Sequence, residues 1–142
     1  MKVKTLFLVD LLSAFSFIPV SATGFIMHWA GHQLCHELWH NWAIAHILST
    51  LFFVVVIAVH IYYHWGWYKS LFKNGIKNKS RVTVVLSILM LILVISGNVV
   101  LLRHQGPNSN LGIWHYVLGI IFSVVAIGHF IKRCKILYKG LK

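Results

Sequence analysis

Four stretches of this chain run for about 20 residues with almost no charge, and the polar residues collect between them. Twenty apolar residues coiled as an α-helix reach about 30 Å, the thickness of a bilayer's hydrocarbon core. The stretches fall at residues 5–27, 42–63, 82–102 and 113–131. Three connections separate them: 27–41, a basic segment 69–81, and a short one, 103–112, where Gly106-Pro107-Asn108-Ser109-Asn110 has the composition of a turn. The pattern predicts an all-α integral membrane protein, a four-helix up-down-up-down bundle forming a single transmembrane domain over residues 1–142.

Composition narrows the class. Hydrophobic residues make up 58% of the 142, more than a soluble domain of this length can hide in its core. Only Asp10 and Glu37 oppose 13 lysines and arginines. The resulting +11 charge could suggest nucleic acid, but its distribution argues for topology instead. Lys2 and Lys4 precede the first stretch, Lys69, Lys73, Lys77, Lys79 and Arg81 separate the second from the third, and Lys132, Arg133, Lys135, Lys139 and Lys142 follow the fourth. Arg103 alone lies on the other side, so twelve cations face one across alternating connections. By the positive-inside rule both termini are cytoplasmic, with anionic lipid headgroups as partners of the basic side.

The N-terminus also imitates a secretory signal, with Lys2 and Lys4, an apolar run, and Val20-Ser21-Ala22 as a small-residue site. Asp10 interrupts what should be an uncharged segment, so we read a first transmembrane helix. Cys35 and Cys134 fall on opposite sides in this topology, which forbids a disulfide between them.

Ten histidines are many for this length, and four are spaced in a way that carries information. His46 to His60 and His115 to His129 are both intervals of 14 residues, or two heptads, within the second and fourth stretches. Two heptads keep both members of a pair on one seam of a left-handed bundle, about 21 Å apart along the axis. In an up-down bundle the second and fourth helices run parallel. His46 then meets His115 near the outer side, and His60 meets His129 near the inner side. A buried neutral imidazole can ligate iron through one nitrogen and donate a hydrogen bond through the other. The arrangement is that needed for two stacked haems, each with both axial positions filled. His64, one turn beyond His60, competes for the inner position, but only His60 matches the height of His129. The structural alternative is that the four histidines serve as polar glue between helices.

Other residues carry two readings each. Gly24, Gly97 beside Ser96, Gly119 and Gly128 either let a macrocycle approach the backbone or are ordinary close-packing positions. His28, His32, His36 and His40 recur every four residues in the outer connection, with Glu37 among them. They either share a zinc or copper ion or sit on an amphipathic interfacial helix with Trp29, Leu34, Leu38, Trp39 and Trp42. Asp10 is a proton route at an inner quinone site or the partner of a lysine or polar neighbour. Arg103 pairs with a propionate of the outer haem or snorkels to headgroups.

Together the segments Phe15-Ser16-Phe17 with Thr23-Gly24, Trp42-x3-His46-Ile47-Leu48-Ser49 leading to His60-x3-His64-Trp65, and His115-x13-His129 resemble small four-helix bacterial membrane cytochromes b. These are related to the cytochrome b subunits of formate dehydrogenases and nickel-iron hydrogenases, and the resemblance covers nearly the whole chain. It implies two non-covalent b haems on the four histidines, electron exchange with menaquinone or ubiquinone, a partner oxidoreductase subunit, and the bacterial cytoplasmic membrane. The expected role is an electron-transfer subunit rather than a stand-alone enzyme. A metal-binding membrane protein using the outer histidines and a purely structural anchor subunit are the competing readings.

Overall fold

The computed structural model describes residues 3–33, 36–76, 81–104, 106 and 109–141, and side chains up to Cys134. Every element is helical: α1 (Val3–His32), α2 (His36–Tyr63), α3 (Trp65–Asn74), α4 (Arg81–Leu102) and α5 (Asn110–Leu141). Four of them, α1, α2, α4 and α5, are long and apolar enough to cross a membrane. Lys2, Leu34, Cys35, Lys77, Lys79, Pro107, Asn108 and Lys142, all weighed above, lie outside the described residues.

Two connections differ from the expectation. The first one, 27–41, contracts, because α1 continues to His32 and α2 begins at His36. Residues 28–40 contain no proline and only Gly31 among weak helix formers, so nothing local stops either helix early. His28 and His32 therefore ride on α1, and His36 and His40 on α2. The basic connection is also partly helical: α3 occupies 65–74 and stops at Gly75, whose φ of 67° suits glycine and whose N–H bonds Leu71 O at 2.9 Å.

The helices are inside-out relative to a soluble bundle. The buried face of α1 carries Asp10, Ser13, Ser16, Thr23 and Ala30, while Leu8, Phe15, Ile18 and Phe25 on its other side are each about 60% exposed. In hydrocarbon, apolar side chains gain nothing by turning inward, and small residues let backbones approach. The hydroxyls on this face are satisfied within their own helix: Ser13 donates to Val9 O at 2.9 Å, Ser16 to Ser13 O at 3.1 Å, and Thr23 to Pro19 O at 2.7 Å. On this face α1 packs against both α2 and α5, and α4 packs against α5. Among the described residues, no close backbone approach joins α2 to α5 or to α4.

Heptad spacing organises the interior into three layers. On α2 the series is His46, Phe53, His60, and on α5 it is His115, Phe122, His129. On α1 it is Gly24, Phe17, Asp10, with numbers falling as those of α2 and α5 rise. Contacts follow this register. Gly24 meets His46, Phe17 lies with its ring centroid 5.9 Å from both Phe53 and Phe122, and Asp10 meets His60. The series Gly97, Met90, Thr83 on α4 repeats the interval, with Gly97 at His115 and Thr83 lining a cavity beside His129. Successive layers are about 10 Å apart, at ~1.5 Å rise per residue.

Candidate functional site

In the layer of His46 and His115 the two imidazoles are held by matching devices. A Cβ added to Gly24 would sit 3.0 Å from Cε1 of His46, and one added to Gly97 would sit 3.1 Å from Cε1 of His115. Each glycine therefore clears the volume that a ring occupies. The residue before each glycine supplies the other half. His46 Nδ1 is 3.1 Å from Thr23 Oγ1, and His115 Nδ1 is 2.8 Å from Ser96 Oγ.

The direction of these bonds follows from the hydroxyl protons. Thr23 gives its single proton to a carbonyl of its own helix, Pro19 O at 2.7 Å, and Ser96 gives its own to Leu93 O at 3.2 Å. Each hydroxyl oxygen then accepts, so each histidine donates Nδ1–H. In that tautomer the proton is on Nδ1, and Nε2 keeps a lone pair able to ligate a metal. Ser49, 3.2 Å from Thr23 Oγ1, buttresses the threonine from α2.

The separation of the rings fits a shared metal. Metal–imidazole bonds are about 2.0 Å and the ring centroid lies ~1.2 Å behind its nitrogen, so ligands trans across one ion have centroids roughly 6.3 Å apart. His46 and His115 have centroids 6.4 Å apart, with ring planes at 77°. Among the described residues their helices do not approach each other closely, so the half-buried rings span the distance between α2 and α5.

The layer of Asp10, His60 and His129 is built differently. Asp10, with a side chain only 9% exposed, accepts a 2.8 Å hydrogen bond on Oδ1 from His64 Nε2. His60 Nδ1 lies 3.2 Å from the same oxygen but off the hydrogen-bonding direction, which leaves it and Asp10 Oδ2 buried without partners. Asp10, His60 and His64 bring three ligand atoms within 4.8 Å of one another, a grouping able to hold a metal ion. His129 faces the same region from α5: it lines one cavity of about 160 Å³ with His60, His64, Trp67, Tyr68, Thr83, Lys132 and Arg133. Tyr68 is fixed there by a 2.9 Å hydrogen bond with Ser87.

Several residues stand apart from these layers. Arg103 is exposed just past the end of α4. Gly119 and Gly128 face open space, with nothing within 4 Å of an added Cβ, so neither is a close-packing position between these helices. His28 and His32 face each other on α1, with Nε2 atoms 3.2 Å apart, and the rings of His36 and His40 lie parallel at 6.4 Å on α2.

Sequence reasoning gave no role in the site to Thr23, Ser96, Phe53, Phe122, Lys132 or Arg133. Two signals mark four of them. A hydroxyl residue precedes glycine at both 23–24 and 96–97, and phenylalanine bisects both 14-residue histidine intervals. Lys132 and Arg133 carry no such mark, since their charges serve the topology equally well. No protein-family model, curated protein or solved structure matches this chain.

Proposed function

We propose that the protein is a small di-haem b-type cytochrome of the bacterial cytoplasmic membrane, passing electrons between a partner oxidoreductase subunit and the quinone pool. In this reading α1, α2, α4 and α5 cross the bilayer up-down-up-down with both termini in the cytoplasm. His46 and His115 hold the outer haem, and His60 and His129 the inner one. The observation that carries the proposal is the outer pair: two imidazoles on different helices, each with Nδ1 at hydrogen-bonding distance from a hydroxyl and its ring seated over a glycine.

Haem b held by two imidazoles would supply a one-electron couple suited to electron transfer. The chain's own residues do the rest. Thr23 and Ser96 orient the outer ligands, and the identical two-heptad intervals set the second pair at a matching depth. Phe17, Phe53 and Phe122 fill the space between levels and keep water from it. At the inner end Asp10 takes up Nε2 of His64, which favours His60 over His64 as the ligand. Lys132 and Arg133 supply positive charge on the cavity wall, suited to the carboxylates of a haem. The aromatic and hydroxyl groups of Trp67, Tyr68 and Thr83 suit menaquinone or ubiquinone at the same opening. Arg103 offers the corresponding cation at the outer end.

The test is direct. Purified protein should give a reduced-minus-oxidised b-type spectrum with two haems per chain, and His46→Ala should retain one. A colourless preparation sinks the proposal, and loss of neither haem in His46→Ala refutes the pairing.

A further inference from the structure

We propose that His28 and His32 form a binding site for a divalent transition-metal ion of the kind imidazole prefers, such as Zn²⁺ or Cu²⁺, at the outer end of α1. The two Nε2 atoms are 3.2 Å apart. Two imidazoles bound to one ion at bond lengths of about 2.0 Å have nitrogens roughly 2.9 Å apart at a right angle and roughly 3.3 Å apart in a tetrahedron. The observed separation lies between these, so the pair can take up an ion without moving its backbone. Spacing i to i+4 on a helix places both rings on one face, and a continuous α1 to His32 is what makes that spacing hold.

One ligand is also held in advance. The ring of His28 stacks on Tyr116 of α5 at 3.7 Å between centroids and 13° between planes. It stands edge-on to the ring of His32 at 4.6 Å. Stacking orients the His28 ring before any ion arrives, which lowers the ordering cost of binding. His32 is exposed and His28 is half-buried, so water can complete the coordination. Two nitrogen donors with no carboxylate select borderline ions over Mg²⁺ or Ca²⁺, which require oxygen ligands. Without an ion one of the two nitrogens donates its N–H to the other; when an ion binds, that imidazole carries its proton on Nδ1 instead, which frees both Nε2 lone pairs.

The site is independent of the four proposed haem ligands, and its test keeps the two readings apart. The full-length protein in detergent is titrated with Zn²⁺ by calorimetry and with Cu²⁺ by electron paramagnetic resonance. We expect one saturable site per chain, a copper spectrum with two nitrogen ligands, and affinity at least tenfold weaker in each of His28→Gln and His32→Gln. The paired variant His36→Gln with His40→Gln should bind like the wild type. Each variant's haem spectrum reports its fold, and a colourless protein whose Zn²⁺ binding is lost in His28→Gln and His32→Gln would remove the cytochrome reading while sustaining this one; binding that instead needs Asp10, His60 and His64 would overturn it. Absence of saturable binding overturns the proposal, as does binding that survives both His28→Gln and His32→Gln or that depends on His36 and His40 instead.

Discussion

Adding a single methyl group at Gly24 should cost the protein its outer haem while sparing the inner one. The new Cβ of Gly24→Ala would stand 3.0 Å from Cε1 of His46, where ordinary contact begins at 3.4 Å. The ring must therefore retreat by about 0.4 Å, the difference between those two distances. It cannot retreat freely, because its Nδ1 is already 3.1 Å from the hydroxyl of Thr23, the residue next to the glycine. Retreat would stretch that bond to the limit of hydrogen bonding. Overpacking of this kind costs roughly 1–3 kcal/mol, which corresponds to outer-haem affinity about 5- to 150-fold weaker. Gly97→Ala, at 3.1 Å from His115, should act the same way through the other ligand. Gly128→Ala is the control, since its methyl group enters open space. The measurements are haem per chain after purification and the rate of haem loss to a scavenging protein. If Gly24→Ala and Gly97→Ala keep two haems as tightly as Gly128→Ala does, the glycines are not clearance for ligands and the argument fails.

Thr23→Val and Ser96→Ala should each weaken retention of the outer haem, since a buried Nδ1–H left without its acceptor costs about 1–3 kcal/mol. Outer-haem retention equal to wild type in both would rule out the hydroxyls as orienting groups. His60→Ala should lose the inner haem and His64→Ala should retain both, read from haem-to-protein ratios; the reverse result would exchange their roles. Asp10→Asn should raise the midpoint potential of the inner haem and leave the outer one in place, because a carboxylate beside a ligating imidazole raises its basicity and favours ferric iron. A potentiometric titration decides this, and an unchanged inner midpoint would mean that Asp10 acts on His64 alone.

The four apolar helices were legible because a bilayer-length run of apolar residues has few other uses. Their ends were less so. Residues 28–40 are rich in histidine and tryptophan, which reads as an interface, yet they contain no strong breaker and the helices simply continue through most of them. The short helix α3 was obscured by lysines that looked like a loop. Within the site, the 14-residue interval pointed to His46 with His115, and their rings do meet. That His64, rather than a lysine, would take Asp10 could not be read from spacing, because it depends on how α1 is rotated against α2. The roles of Thr23 and Ser96 depend on where their protons go. That is decided by carbonyls one turn back and is invisible without coordinates.

The even spacing of the layers has a mechanical meaning. Each proposed ligand pair draws one imidazole from the α1–α2 half of the chain and one from the α4–α5 half, and among the described residues only α1 and α5 pack closely between those halves. A guest at either level therefore works as a rivet driven through the seam. The stripped protein keeps a single hinge, and its two leaves should part at a lower detergent or denaturant concentration than those of the filled one.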